Sequence, residues 1–291
     1  MELSMSNYVI CTDSSCDLSD EILNKWEVSS TSLTFRFTDN NVEYKNGDMA
    51  ITDFYDKMRE GGVAKTAAIN VDGFTLLFED LLKDGKDVLY LGFSSGLSTT
   101  YNSARIAAAQ LMEKYPDRKI VAIDTLCASA GGGLLVKMAV DKKAEGATIE
   151  ENAEYIESKK LNVCHWFTVD DLVYLKRGGR VSATTAFVGN MLGIKPVMHV
   201  DNEGHLVNVS KVRGRKTSVA ALADKYGDLH LEGDYEVFIS HGDCIDDAKK
   251  LAEIIETKYG KKTSIITDVG AVIGAHSGPG TLALFFIGKE R

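Results

Sequence analysis

Hydroxyl-bearing side chains occupy five of the seven positions in the segment 94–100, which reads SSGLSTT. Within it, Ser98 stands at the predicted N-cap of the following helix. Its hydroxyl and the free N–H groups beside it would therefore converge on a spot that favours an anion. Serine is also a preferred N-cap residue, so a cap alone is the alternative interpretation. With a single glycine in the segment and no GxxxxGK[ST] pattern in the chain, nucleotide binding by this chain is not predicted.

A single histidine, His276, lies in the segment 270–280, which reads GAVIGAHSGPG. Four glycines and one proline around this side chain predict a tight loop shaped about the imidazole. A histidine in such a loop either donates a hydrogen bond to a ligand or acts as a base. A purely structural role is the alternative, and the residues alone leave the two open.

Basic side chains form two further candidates on a chain that is otherwise acidic. Arg180 follows a double glycine that predicts a helix end, and it is expected to pair with an acidic side chain at a domain interface. The second candidate is a patch that consists of Lys211, Arg213, Arg215 and Lys216. This patch is either a solvated hairpin end or an electropositive spot for a phosphate or an acidic partner.

Three consecutive glycines, residues 131–133, lie at the start of a helical pattern. Each glycine costs a helix about 1 kcal/mol relative to alanine, so the pattern indicates a close approach to the backbone. A neighbouring strand or helix and a ligand chain are both compatible with that approach.

The elements that must position these residues differ between the two halves of the chain. In the first half, apolar runs at 8–11, 33–37, 88–93 and 120–123 alternate with helical patterns at 99–115 and 134–140, which predicts a parallel sheet covered on both faces. Polar residues follow three of these strands, at 12–15, 94–98 and 124–125. Because ligands bind at the carboxyl ends of such strands, these residues are expected to lie together at one edge.

The second half predicts α/β structure with some antiparallel pairing. Runs at 194–200 and 205–212 flank the turn sequence DNEG and indicate a hairpin, while strands are predicted at 235–240 and 264–268 and a helix at 246–259. The predicted fold is therefore α/β with two domains, an N-terminal one at 1–165 and a C-terminal one at 166–291.

Composition limits the classes of function. The 291 residues are 44% hydrophobic and 26% charged, with a formal net charge of −9 and no massed basic segment, so nucleic acid and anionic membrane surfaces are not expected partners. An integral membrane segment and a signal peptide are not predicted either, and a cytoplasmic location is expected. The five cysteines contain no CxxC pair, and neither a disulfide framework nor a zinc site is indicated.

Taken together, these segments resemble the DegV family of bacterial fatty-acid-binding proteins. The resemblance rests on seven segments in the family's order: TDSSCDL at 12–18, KT at 65–66, SSGLS at 94–98 with Thr100 and Tyr101, LKRGGRVS at 175–182, GIKP at 193–196, VRG at 212–214 and GAHSGPG at 274–280. It implies a two-domain α/β protein whose C-terminal domain closes over one long-chain fatty acid. It also implies that the protein is not itself an enzyme and carries no cofactor, and that it presents the carboxylate to a separate ATP-dependent fatty acid kinase. The kinase would make an acyl phosphate for phospholipid synthesis.

The resemblance also implies roles for individual residues. Thr66 and Ser98 would hold the carboxylate, with Ser95 and His276 beside them in the binding site. Arg213 would serve the kinase, and Arg180 is assigned to the same interaction. Two positions depart from the family pattern: KT is followed by AAIN rather than a serine, a glutamine and a proline, and Thr99 stands where the family often has glycine.

A serine hydrolase is the alternative from another class, with Ser98 or Ser95 as nucleophile and His276 as base. The chain lacks a GxSxG elbow, and no acidic residue is obviously placed to orient the histidine. A relative that binds a different apolar acid is a third possibility, because of the altered segment after Thr66. The sequence leaves the preferred acyl chain length and the oligomeric state open.

Overall fold

The computed structural model describes residues 7–40, 42–182 and 193–291. In chain order its elements are β1 (Tyr8–Asp13), α1 (Asp20–Lys25), β2 (Ser29–Thr31), β3 (Thr34–Phe37), β4 (Tyr44–Lys45), α2 (Ile51–Arg59), β5 (Ala64–Ala67), α3 (Val71–Lys83), β6 (Asp87–Gly92), α4 (Thr100–Lys114), β7 (Ile120–Asp124), α5 (Ala130–Ala144), α6 (Ile149–Lys159), β8 (Val163–Thr168), α7 (Val173–Arg177), β9 (Ile194–Val200), β10 (Leu206–Arg213), α8 (Arg215–Leu229), β11 (Phe238–His241), α9 (Ile245–Tyr259), β12 (Ile265–Asp268), α10 (Ala271–Ser277) and β13 (Leu282–Ile287). These elements form three sheets.

A four-stranded parallel sheet has the strand order β2-β1-β6-β7. Helices α3 and α4 pack against one face through an apolar cluster that includes Phe74, Phe78 and Leu111. Helix α5 and its neighbours cover the other face through Leu134 and Leu135. The prediction of a parallel sheet with both faces covered is confirmed.

The expected position of the segment 33–37 in that sheet is wrong. Strand β3 belongs to a separate three-stranded antiparallel sheet with the order β4-β3-β5, and β2 takes the place beside β1. Phe35 and Phe37 are buried against Phe54 on α2, in a cluster of their own. Alternating apolar residues predict a strand but do not specify its partner, and here the aromatic cluster decides the pairing.

The C-terminal half builds a six-stranded mixed sheet with the order β10-β9-β8-β13-β11-β12. The predicted hairpin is confirmed as the antiparallel pair β9–β10. The two central strands of the six-stranded sheet, β8 and β13, were not predicted. Both are short runs that are buried along their whole length and lack a period-2 pattern. The expected domain boundary between residues 165 and 166 lies inside β8, and the division into two domains stays a prediction.

Side chains explain two of the three glycines at the start of α5. A Cβ at Gly131 would lie 2.2 Å from His165 Nε2, and one at Gly133 would lie 2.9 Å from the Leu18 side chain. The close approach therefore comes from neighbouring protein elements at these two positions. It brings β8 and the segment that follows β1 against the first turn of α5.

Candidate ligand-binding site

A cavity of about 650 Å³ lies among the three sheets. This volume is in the range of roughly 300–1,000 Å³ that is usual for small-molecule sites. Most of the lining side chains are apolar, and they come from strands of the six-stranded sheet, from loops between strands and helices, and from α7 and α10: Leu33, Val63, Phe93, Leu97, Phe167, Leu175, Val200, Leu206, Val269, Val272, Ile273, Ala283 and Phe285. Polar side chains gather in two places, and they determine what the cavity can hold.

The first polar group, which we call the polar end, consists of Thr66, Ser98, Arg180 and His276. Thr66 Oγ1 and His276 Nε2 are 2.8 Å apart. The two side chains meet because Thr66 lies on β5, opposite Phe35 of β3, while His276 lies in the last turn of α10. Sequence reasoning proposed both residues, and the structure brings them into direct contact.

The imidazole of His276 is neutral at pH 7. Burial, assisted by the positive charge of Arg180, lowers its pKa from 6.5 to about 4. Its other nitrogen, Nδ1, is buried with no hydrogen-bond partner among the described residues and faces Gly178, where a Cβ would lie 2.1 Å away. A buried N–H without an acceptor is more costly than a free lone pair, so the hydrogen belongs on Nε2. Nε2–H then donates to Thr66, whose own hydroxyl hydrogen remains free.

Ser98 supplies the capping hydroxyl of α4, as the sequence predicts. The helix begins at Thr100, and the preceding Thr99 has helical dihedral angles and makes no side-chain capping bond. The Ser98 hydroxyl accepts the Thr100 N–H at 3.2 Å and bonds the Thr100 hydroxyl at 2.9 Å. With Thr99 counted as the first helical residue, this is the bond that an N-cap side chain makes.

Ser95 and the polar residues after β1 and β7 confirm the expected gathering at one sheet edge. The Ser95 N–H donates to the Asp124 carboxylate at 3.1 Å, and the Phe93 N–H donates to the Asp13 carboxylate at 3.1 Å. Ser95 also lines the cavity, but its side chain is exposed. These bonds fix the loop that carries Ser98.

Arg180 contacts carbonyl oxygens rather than an acidic side chain. Its Nε and Nη2 donate to the Leu97 carbonyl at 3.1 and 2.8 Å, and its Nη1 donates to the Gly178 carbonyl. In the described part of the chain, no carboxylate forms an ion pair with Arg180. The prediction that it pairs with an acidic side chain is therefore wrong. Its guanidinium lies in the cavity wall, half-buried, where burial lowers its pKa. A positive charge without a counter-ion is thus held next to Ser98 and His276.

Arg213 lies outside the cavity, at the exposed end of β10. Across residues 7–40, 42–182 and 193–291, no hydrogen bond or ion pair of its side chain is found. Arg215, by contrast, donates to Asp247 at 2.8 Å and lies 3.6 Å from Asp170. The expected basic patch is therefore smaller than the sequence indicates, because Arg215 is neutralised by its neighbours.

Sequence reasoning missed a second polar group in the wall, which we call the serine pair: Ser129 and Ser240. Their hydroxyl oxygens are 2.9 Å apart, and the Ser129 hydroxyl donates to Asp17 Oδ2 at 2.5 Å. Ser129 has φ +52° and ψ −148°, a backbone conformation that is rare for a residue with a side chain. Asp17 lies in the segment 12–18 that carried the resemblance, but only the fold brings it to residues more than a hundred positions away.

Asp17 is buried and receives one hydrogen bond on each carboxylate oxygen. Besides the Ser129 hydroxyl, the Gly270 N–H donates to Oδ1 at 3.0 Å. Desolvation raises the pKa of this carboxyl to about 7, against the lowering effect of the two hydrogen bonds. Asp17 thereby connects the parallel sheet to α5 and to the N-terminal end of α10.

The geometry does not assemble a serine hydrolase. The histidine contacts Thr66, whereas the Ser98 hydroxyl bonds Thr100. Among the described residues no acidic side chain contacts His276 Nδ1, so nothing orients it as a base. The cavity contains a polar end suited to hold an anion rather than a nucleophile and its base.

In the described part of the chain, His, Cys, Asp and Glu form no group of three or more that could hold a metal ion. None of the described helices is long and apolar enough to cross a membrane.

Fold and cavity together define an α/β protein with a mostly apolar site that is polar at one end. The family model described as "Uncharacterised protein, DegV family" matches residues 7–289, and the chain belongs to this family. A DegV domain-containing protein of Clostridium perfringens is 42% identical over 99% of each chain.

Solved structures agree with this assignment. A DegV lipid-binding protein of Thermotoga maritima superposes with a TM-score of 0.84 at 30% identity, over 98% of this chain and 99% of that one. A stearic-acid-binding protein of Eubacterium ventriosum has a TM-score of 0.86 at 25% identity, over 97% of this chain and 98% of that one. The expected mixed α/β fold is confirmed.

Proposed function

We propose that this protein binds one long-chain fatty acid in the cavity and presents its carboxylate to a separate ATP-dependent kinase. One observation carries the proposal: an apolar cavity of about 650 Å³ ends in hydroxyls, a neutral imidazole and an arginine that has no counter-ion among the described residues. The fatty acids bound by structural relatives support the same ligand class.

The tail provides most of the affinity. A saturated chain of about fourteen methylenes contributes on the order of 11 kcal/mol at ~0.8 kcal/mol each, before the costs of association. Aliphatic and aromatic lining residues such as Leu33, Phe93, Leu175 and Val272 supply the apolar surface. Side-chain contacts of this kind do not fix the direction of the chain, so the polar end must do so.

The carboxylate is held by donors at the polar end. Nε2–H of His276 donates to Thr66, which leaves the Thr66 hydroxyl hydrogen for the ligand. Ser98 contributes a second hydroxyl, and Arg180 supplies the compensating charge. His276 thus acts through Thr66, and Arg180 belongs to the ligand site rather than to the kinase interface.

The kinase supplies ATP, and this chain supplies the acceptor. In the coupled reaction a carboxylate oxygen forms the new bond to the γ-phosphorus and ADP leaves, so that positioning and charge stabilisation dominate catalysis. Arg213, exposed and without a partner in the described residues, is the group that would contact the kinase. Arg215 is unsuited to this role because Asp247 already holds it.

Native mass spectrometry of the purified protein tests the binding function. The expected result is an adduct with the mass of a single fatty acid, which is lost after delipidation and restored by adding palmitic or stearic acid. An apoprotein that takes up neither acid, or that hydrolyses esters instead, would contradict the proposal.

A matched pair of variants tests the kinase role. Arg213→Ala should retain its bound lipid and lose most acyl phosphate formation with a cognate kinase. The rate of acyl phosphate formation with the wild-type protein should fall as the salt concentration rises. Arg105→Ala removes an equally exposed arginine from α4 and should behave as wild type. If Arg213→Ala emerges without lipid, Arg213 serves the cavity instead.

A further inference from the structure

The serine pair gives the cavity wall a specific hydrogen-bonding polarity. Each serine hydroxyl has one hydrogen and two acceptor lone pairs. When Asp17 is ionised it accepts the hydrogen of Ser129, so the hydrogen in the Ser129–Ser240 bond must come from Ser240. Both hydrogens are then consumed within the protein, and three lone pairs remain. Ser240 is fully buried, so the lone pair left on Ser129 is the acceptor that the pair offers to the cavity.

Neighbouring polar groups do not change this polarity. His165, which also lines the cavity, accepts the Ala128 N–H on Nε2 at 3.3 Å, and its Nδ1 is 2.9 Å from the Val163 carbonyl. Both ring nitrogens are therefore used inside the protein. The side chains around the serine pair on the sheet face, Ala283 and Phe285, are apolar.

The position of the serine pair corresponds to the middle of a bound chain. Asp17 binds the N–H of Gly270 at the beginning of α10, whereas His276 lies in the last turn of the same helix. Six residues at about 1.5 Å per residue separate the two levels by roughly 9 Å. A fatty acid whose carboxylate lies at the polar end and whose tail follows α10 would pass the serine pair partway along its length.

We propose that the cavity selects fatty acids that carry a hydroxyl group near the middle of the chain, with the serine pair as its acceptor. This inference rests on the proposed fatty-acid binding and adds a substrate class to it. A mid-chain hydroxyl donates to a lone pair that is otherwise unused in an apolar wall. An oxo group at the same carbon has only lone pairs to offer, and it would face the acceptors of the serine pair without a hydrogen between them.

The test compares stearic acid with hydroxystearic and oxostearic acids substituted at the same mid-chain carbon, bound to delipidated protein by calorimetry. At pH 8 Asp17 is ionised and accepts from Ser129. The hydroxy acid should bind about tenfold more tightly than the oxo acid. Ser129→Gly removes the acceptor, suits the left-handed backbone and should reduce this ratio to within about twofold.

Two more variants keep the outcome interpretable. Ser240→Ala leaves the Ser129 acceptor in place and should keep the preference for the hydroxy acid. Thr267→Val is the matched control, since its hydroxyl bonds the Asp17 carbonyl but does not line the cavity; it should also keep the preference. Equal binding of the hydroxy and oxo acids by the wild type, or a preference that survives Ser129→Gly, would overturn the inference. Failure of all three acids to bind would overturn the proposed function itself.

Discussion

The polar end and the serine pair face the same cavity, but they present opposite hydrogen-bonding character. At the polar end, Thr66 receives a hydrogen from His276 and keeps its own for a ligand. In the serine pair, both hydrogens run toward Asp17 when that carboxylate is ionised, and only lone pairs remain. A hydroxyl therefore becomes a donor or an acceptor according to the group behind it, an imidazole N–H in one case and a carboxylate in the other.

Desolvation shifts the pKa values of the two ionisable groups behind these hydroxyls, His276 and Asp17, in opposite directions. The pKa of His276 falls from 6.5 to about 4, so its neutral form contributes stability above pH 6.5 that is lost as the pH falls toward 4. The pKa of Asp17 rises from 3.8 to about 7, so its protonated form contributes stability below pH 4 that is lost as the pH rises through 7. In both cases burial favours the uncharged form.

The largest effect is expected when the donors of the polar end are removed together. Thr66→Ala combined with Ser98→Ala takes two hydrogen bonds from a buried carboxylate, each worth about 1.5–3 kcal/mol, so stearic acid should bind at least about 100-fold more weakly. Calorimetry on delipidated protein measures the change. Ser103→Ala, on the same helix as Thr100, is the control. Affinity within a few-fold of wild type in the double variant would remove the polar end from the carboxylate site.

A pH series of unfolding experiments examines the imidazole behind Thr66. Between pH 7 and pH 4, lipid-free wild type should lose about 3 kcal/mol relative to His276→Gln, since the unfolded histidine takes up a proton that the folded one resists. Urea unfolding at several pH values gives the difference. A constant offset between the two proteins across this range would show that His276 is not held neutral by burial.

A smaller effect is expected for the cation of the polar end. Arg180→Gln keeps a polar, though shorter, side chain and removes the charge. Fatty acid affinity should fall about tenfold, with kinase-coupled phosphorylation falling in parallel when lipid is limiting. Excess fatty acid should restore phosphorylation. A variant that keeps full affinity yet cannot be phosphorylated would instead assign Arg180 to the kinase interface.

Sequence and structure diverge at these same two regions for identifiable reasons. Ser98 follows a strand of the parallel sheet, so its place at the sheet edge could be predicted from the pattern. The meeting of Thr66 and His276 with Ser98 was expected only from the family resemblance. The pairing of β3 with β5, which brings Thr66 into the cavity, depends on the aromatic cluster around Phe54 and could not be read from alternation alone. The pattern of apolar residues predicts that a segment forms a strand, but it does not predict which strand pairs with it.

The serine pair was beyond the reach of sequence reasoning for a different cause. Ser129 and Ser240 are isolated serines in unrelated segments, and Asp17 is 112 positions from the nearer one. Nothing in their local patterns differs from ordinary capping or strand serines. Only the packing of β1, α5 and β11 brings them together. In the folded protein, the left-handed backbone conformation of Ser129 distinguishes this site.

A crystal structure of the delipidated protein reconstituted with stearic acid tests the central claim most directly. The account predicts a carboxylate within hydrogen-bond distance of Thr66 Oγ1 and Ser98 Oγ, with Arg180 nearby and the tail running along α10 past the serine pair. A carboxylate bound at the serine pair, or a fatty acid held outside the cavity, would contradict it.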